Sequence, residues 1–289
     1  MKKILSAVLL LLLPAVVQPA IITDPLGGWQ LVWSDEFDDV GCTSASPCSP
    51  DATKWIVREG NLWQNDPVDI PFYTSRLENV RVQNGLLIIE TRKDTYGGKN
   101  YTSGSIDTYN KKHFQFGKLE IRAKGTSVVN NIDQAIWTLG ASGPWGGLNT
   151  WPDYGEVDIL EYFPGSSYWG HTKVSHAFHT QYQEQQLYES SLDARNWHVY
   201  SMEWDNTVIK LLVDDVVKVT KNKTVDNDWP WMDPVFLLIT TQLGSIGGGT
   251  INDSNFPLQF EVDYVRYYQF GTPNPSYSIP SAPGKIRVD

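Results

Sequence analysis

Glu156-Val157-Asp158-Ile159-Leu160-Glu161 places three carboxylates in six residues of an otherwise aliphatic run. Val, Ile and Leu at the intervening positions favour a buried strand. Side chains alternate across a strand, so Glu156 and Asp158 share one face. Glu161 lies at an odd offset and would point the other way. One extra residue, a β-bulge near Ile159 or Leu160, returns it to the face of the other two. Bulges recur beside active sites, where they re-aim a side chain. The flanks are aromatic and turn-forming: Trp151-Pro152 and Gly155 before the run, Tyr162-Phe163 after it.

Three acids on one face repel one another, and at least one is expected to keep its proton to a raised pKa. Hydrolysis of a glycosidic bond needs such a pair, one carboxylate ionised and one carboxyl protonated. A solvated acidic edge strand is the plainer reading. The aromatic neighbours count against it, because they offer flat faces on which sugar rings stack.

Of the 289 residues, 19% are charged, 12% are aromatic and twelve are Trp. That many indoles exceeds what a core requires, so some are expected to line a cleft. The net charge of −10 argues against nucleic acid and anionic membranes as partners. Residues 1–20 read as a secretory signal: Lys2-Lys3, the apolar run Ile4 to Leu13, then small residues ending at Ala20, with Ala15 an alternative cleavage point. The apolar run is short for a membrane span. In an exported chain Cys42 and Cys48 are expected to form a disulfide.

Strand-like alternation recurs at short intervals. It is seen in Trp29 to Phe37, around the Asn84-Gly85 hairpin signal, and in Tyr101 to Tyr109, Phe114 to Lys124 and Ala135 to Leu139. It continues in Lys173 to Thr180, Asn196 to Trp204, Val208 to Asp214, Val216 to Thr220, Pro234 to Leu243 and Leu258 to Phe270. Lys54 to Asp69, with Trp55, Asn61 and Trp63, reads as a loop at a cleft rim. No amphipathic helix and no repeat is evident, which predicts an all-β sandwich or barrel. One domain over residues 21–271 is expected, followed by a Pro-rich tail, 272–289.

Several blocks, in order, resemble glycoside hydrolase family 16, and within it the laminarinase-like endo-β-1,3-glucanases. They are Leu31 to Phe37, Phe72 to Arg76 with Glu78-Asn79-Val80, Tyr101 to Gly104, and Phe116 to Glu120. Trp151-Pro152 with Gly155 to Glu161 follows, and then Val262 to Tyr268. The resemblance implies a β-jelly roll of two curved antiparallel sheets with a cleft across the concave face. It also implies the bulged form of the acidic motif. By position, Glu156 corresponds to the nucleophile, Glu161 to the general acid/base, and Asp158 to the residue between them that supports both. Trp137 and Trp151 correspond to floor aromatics of the sugar subsites, and Asn61 and Arg92 to residues bonding sugar hydroxyls. His179 corresponds to a cleft-facing histidine, whereas His176 has the opposite parity. A structural calcium is implied on the convex side, held by main-chain oxygens of Glu36 and Gly85 and by Asp263.

The chain departs from the family at Asp133-Gln134-Ala135-Ile136-Trp137-Thr138, in the loop Gly140 to Asn149, at Thr240 and over Gln181 to Ser191. These departures are read as loops that shape subsites. The expectation is a secreted, retaining endo-hydrolase of β-1,3-glucan, monomeric and needing no catalytic cofactor. Mixed-linkage glucan or galactan hydrolysis and transglycosylation are the enzymatic alternatives. A glucan-binding lectin is the non-enzymatic one.

Overall fold

The computed structural model describes residues 28–62, 69–127, 130–143, 151–164, 173–181, 184–189, 191–224, 229–244 and 250–271. The expected signal segment and the Pro-rich tail lie outside these residues. The described chain folds as two sheets. The first holds ten strands: β1 (Trp29–Asp35), β3 (Phe72–Tyr73), β4 (Val80–Gln83), β5 (Leu86–Tyr96), β6 (Lys99–Ser103), β8 (Gly117–Lys124), β13 (His198–Trp204), β14 (Val208–Val213), β15 (Val216–Asn222) and β17 (Leu258–Phe270). The second holds seven, in the order β12 (Glu184–Glu189), β11 (Lys173–His179), β10 (Glu156–Phe163), β9 (Ile132–Gly140), β16 (Val235–Leu243), β7 (Ser105–Asp107) and β2 (Ile56–Val57). Pairing is antiparallel throughout except between β3 and β6.

Alternation along β8 shows why the sheets close on each other. Leu119, Ile121 and Ala123 are fully buried while Glu120, Arg122 and Lys124 are not. The buried set joins Leu87, Ile89 and Val262 of its own sheet and Ile136, Val157 and Ile239 of the other in one core. Each such aliphatic side chain contributes roughly 1.5–3 kcal/mol by leaving water. A smaller apolar cluster, Ala135, Trp137, Leu139, Tyr154, Phe236 and Leu238, lies on the opposite face of the seven-stranded sheet. β9 is buried along its whole length, so this outer face is a recessed trough, not an open surface.

The Asn84-Gly85 turn joins β4 to β5 with φ of 52° and 76°, the left-handed pair that a two-residue hairpin needs. Cys42 and Cys48 are bonded, with an S–S distance of 2.08 Å, and their loop packs on this hairpin through the Cys48–Val82 bridge. Three sequence expectations are corrected. Tyr101 to Tyr109 is two strands, because the chain crosses from one sheet to the other at Gly104. A Cβ there would stand 2.4 Å from Val80 Cγ2. Gln181 to Ser191 contains an edge strand, β12, paired to β11. Trp55 is a core residue, not a rim residue: its ring is 2% exposed and its indole N–H donates to Asp35 at 2.7 Å.

β1 pairs with β17 as far as Asp35 opposite Val265, and β5 pairs with it from Leu87 opposite Val262. Asp263 therefore occupies a bulge in β17 between Glu36 and the Gly85 turn, where the resemblance places calcium. Arg122 takes one oxygen of Asp263 at 2.8 Å, and Arg266 takes both oxygens of Glu36. By the resemblance, the main-chain oxygens of Glu36 and Gly85 and one carboxylate oxygen of Asp263 would be the protein's ligands here. Such a set fits calcium only if water completes the six to eight oxygens the ion takes.

Candidate active site

β10 lies between β9 and β11. Glu156 stands opposite Leu139 and His179, and Asp158 opposite Trp137 and Ala177. The register then slips. Leu160 meets Ile136 and Glu161 meets Ala135 on one side, and Glu161 meets Ser175 on the other. Ile159 has no partner in either register and is the extra residue. Ile159 and Leu160 both enter the inter-sheet core, while Ala135, opposite Glu161, belongs to the trough cluster with Trp137. The bulge thus turns Glu161 out to the face of Glu156 and Asp158. A straight strand would have driven its carboxylate into the apolar core, at a cost of several kcal/mol.

Gly155 leads into the strand with φ of 76°, and a Cβ there would meet Pro230 Cγ at 2.6 Å. Just before it, Trp151 is 56% exposed, donates its indole N–H to Glu156 Oε2 at 2.8 Å, and sets its ring 5.7 Å from that of His179. His179 Nε2 lies 3.0 Å from Asp158 Oδ2. Trp137 is 8% exposed beside Asp158, with its indole N–H 3.4 Å from the Thr240 hydroxyl. Glu156, Asp158 and His179 are also the only acid–imidazole cluster among the described residues compact enough to seat a cation, their ligand atoms within 4.8 Å of one another.

Burial pushes Glu156 well above the usual carboxylate range, and the charges of Asp158 and, less, Glu161 add to it; His179 and the Trp151 N–H pull it back. Asp133 is raised in the same way, by burial first and then by Glu161, Asp158 and Asp69. Burial and the Glu156 charge push the Tyr154 hydroxyl up to about 12. The face therefore carries carboxyls that cannot all ionise together, and so it can both hold a negative charge and supply a proton.

The structure brings together Glu156, Asp158, Glu161, Trp137, Trp151 and His179. It does not bring in Arg92 or Asn61. Arg92 shares the outer face of β5 with Glu90, to which its guanidinium is bonded, and Glu90 is held in turn by Arg81 and Gln259. Leu87 and Ile89 point into the core, so strand parity sends Arg92 to the opposite side of the sandwich from the trough. Asn61 is exposed just beyond β2. It follows Gly60, which bridges Tyr73 of β3 in the other sheet, so it stands apart from β10. Asp133 is the residue that sequence reasoning passed over. Counting back by twos from Trp137 through Ala135 would have found it on the trough face.

The family model for glycosyl hydrolases family 16 matches residues 72–268. The chain belongs to that family. It is a glycosidase that hydrolyses O-glycosyl bonds, and its two-sheet sandwich is the family's jelly roll. It is 34% identical to a beta-glucanase of Rhodothermus marinus over 86% of this chain and 88% of that protein. It is 30% identical to the glucan endo-1,3-beta-glucosidase A1 of Niallia circulans over 86% of this chain and 39% of that one. The crystal structure of the R. marinus laminarinase superposes with a TM-score of 0.73 at 32% identity, covering 84% of this chain and 98% of that one. In this family member the motif's glutamates sit on one bulged strand, with a tryptophan bonded to Glu156 and a histidine to Asp158 between them.

Proposed function

We propose that the chain is an exported endo-hydrolase that cleaves β-1,3-glucan with retention of anomeric configuration. The observation that carries this reading is the slip in β10 that returns Glu161 to the face of Glu156. Retention by double displacement needs two carboxyls about 5–5.5 Å apart, one on each side of the reacting bond. Two glutamates on one bulged strand supply such a pair. Glu156 attacks the anomeric carbon while Glu161 protonates the departing oxygen. Glu161 then takes a proton from the water that releases the sugar from Glu156. Trp151 directs an N–H to Glu156 and opposes its burial, which favours the ionised form an attacking carboxylate requires.

Asp158, fixed by His179, supplies the negative charge between the two. Trp137 and Trp151 present indole faces to the sugar on the side of the trough they share with Glu156. β-1,3-Glucan is preferred as substrate because the R. marinus and N. circulans relatives act on it or on β-glucan by name. The apolar N-terminal segment supports export. A calcium at the Glu36–Gly85–Asp263 corner would be structural, tying the β1 end and the hairpin turn to β17.

Glu161→Gln is expected to lower kcat on laminarin by about 10²–10⁴-fold, the range for removing a general acid. Glu156→Gln is expected to abolish turnover while binding to immobilised glucan persists. Unchanged turnover in either variant would refute the assignment. A chain that binds laminarin without cleaving it would be a lectin. Cleavage of lichenan or agarose in place of laminarin would move the substrate but not the mechanism.

A further inference from the structure

A side chain bonds the backbone of the bulge that aims Glu161. Ile159 has no register partner on β9 or on β11. Across β11 the residue facing this gap is His176, which lies between Ala177 (opposite Asp158) and Ser175 (opposite Glu161). Its side chain points into the inter-sheet core and is 0% exposed. The imidazole Nδ1 lies 2.7 Å from the Ile159 oxygen. A carbonyl only accepts, so Nδ1 carries the proton. Nε2 is buried without a hydrogen-bond partner, which suits the unprotonated nitrogen of a neutral ring. Burial also depresses the basicity of this imidazole, keeping it neutral.

We propose that His176 is a positioning residue for the acid/base: its Nδ1–H holds the Ile159 carbonyl, fixes the bulge, and so sets the direction of Glu161. The inference rests on the reading of Glu161 as the acid/base. Without the imidazole the bulge loses this side-chain donor to the Ile159 carbonyl, and the extra residue is free to redistribute along β10. That motion tilts Glu161, whereas Glu156 and Asp158, on the regular side of the slip, stay in register with β9 and β11. A misplacement of about 1 Å at a reacting group costs on the order of 10²-fold in rate.

Two variants separate this role from plain packing. Asn places an amide nitrogen where Nδ1 stood, while Leu fills similar space and donates nothing. Two substrates separate Glu161 from Glu156: laminarin, whose leaving oxygen needs a proton, and a 2,4-dinitrophenyl β-laminaribioside, whose leaving group does not. His176→Leu should lose about 10- to 100-fold in kcat on laminarin. Its KM should stay within about twofold, and the burst of dinitrophenolate within about threefold, of the parent. His176→Asn should regain most of the laminarin rate.

Full laminarin activity in His176→Leu, or equal loss on both substrates, would overturn the proposal while leaving the proposed reaction intact. A parent protein inactive on both substrates would overturn the reaction itself. Should His176→Leu fail to fold, ¹⁵N NMR of the imidazole in the parent decides. An Nδ1–H tautomer shielded from exchange supports the proposal, and an Nε2–H tautomer ends it.

Discussion

A carboxyl as deeply buried as that of Asp133 is a liability unless something uses it. It is 4% exposed, its Oδ1 has no hydrogen-bond partner, and Glu161, Asp158 and Asp69 all press negative charge on it. Its folded pKa is raised, so the native state binds a proton that the unfolded state gives up at ordinary acidity. The penalty is absent below the unfolded value and grows as pH rises through it toward the folded one. Asp133→Asn should therefore be no more stable than the parent near pH 3 and more stable at pH 7. The expected gain is roughly 1–3 kcal/mol, the scale of one unsatisfied buried polar group. Thermal melts at the two pH values check this. A variant equally or less stable at pH 7 would show that Asp133 is paired, not strained. Buried groups of this kind accumulate where function overrides stability.

At the scale of single elements, β10 was the most legible part of the chain and also the one that broke the simple rule. The spacing of Glu156, Asp158 and Glu161 already demanded a bulge, because strict alternation would bury Glu161. Removing Leu160 should restore an unbroken ladder and place Glu161 at an even offset from Glu156, still on the face of Glu156 and Asp158. The deletion variant is expected to keep measurable turnover of laminarin while losing about 2–5 kcal/mol of stability with the Leu160 side chain. A folded deletion variant with no turnover would contradict the geometry.

Other elements were less legible for physical reasons. The sheet change at Gly104 leaves no mark on alternation, since residues on both sides of it still read as strand. β12 is a polar edge strand, and edges need no apolar period. Arg92 followed the resemblance, but the parity of Leu87 and Ile89 had already assigned its face. Trp55 looked like a rim aromatic because its partner, Asp35, lies 20 residues away.

At the scale of the whole molecule, one face of the sandwich carries the acids and the other carries charge pairs. The corner where Glu36, Gly85 and Asp263 meet lies on the ten-stranded sheet, across the core from β10. If calcium sits there, dialysis against EDTA should lower Tm by several degrees and added calcium should restore it, with activity per folded molecule unchanged. Identical melts with and without chelator would remove the ion from the account and leave Arg122 and Arg266 to neutralise the corner's carboxylates.

The central claim is that a single bulged strand delivers both the attacking and the proton-transferring carboxyl to one side of the sheet, close enough for two successive inversions. Proton NMR of laminarin during the first minutes of cleavage reads this directly. The account predicts that the newly formed reducing ends appear first as the β-anomer and only later equilibrate with the α-form. Initial release of the α-anomer would mean a water-separated pair of acids and would contradict it.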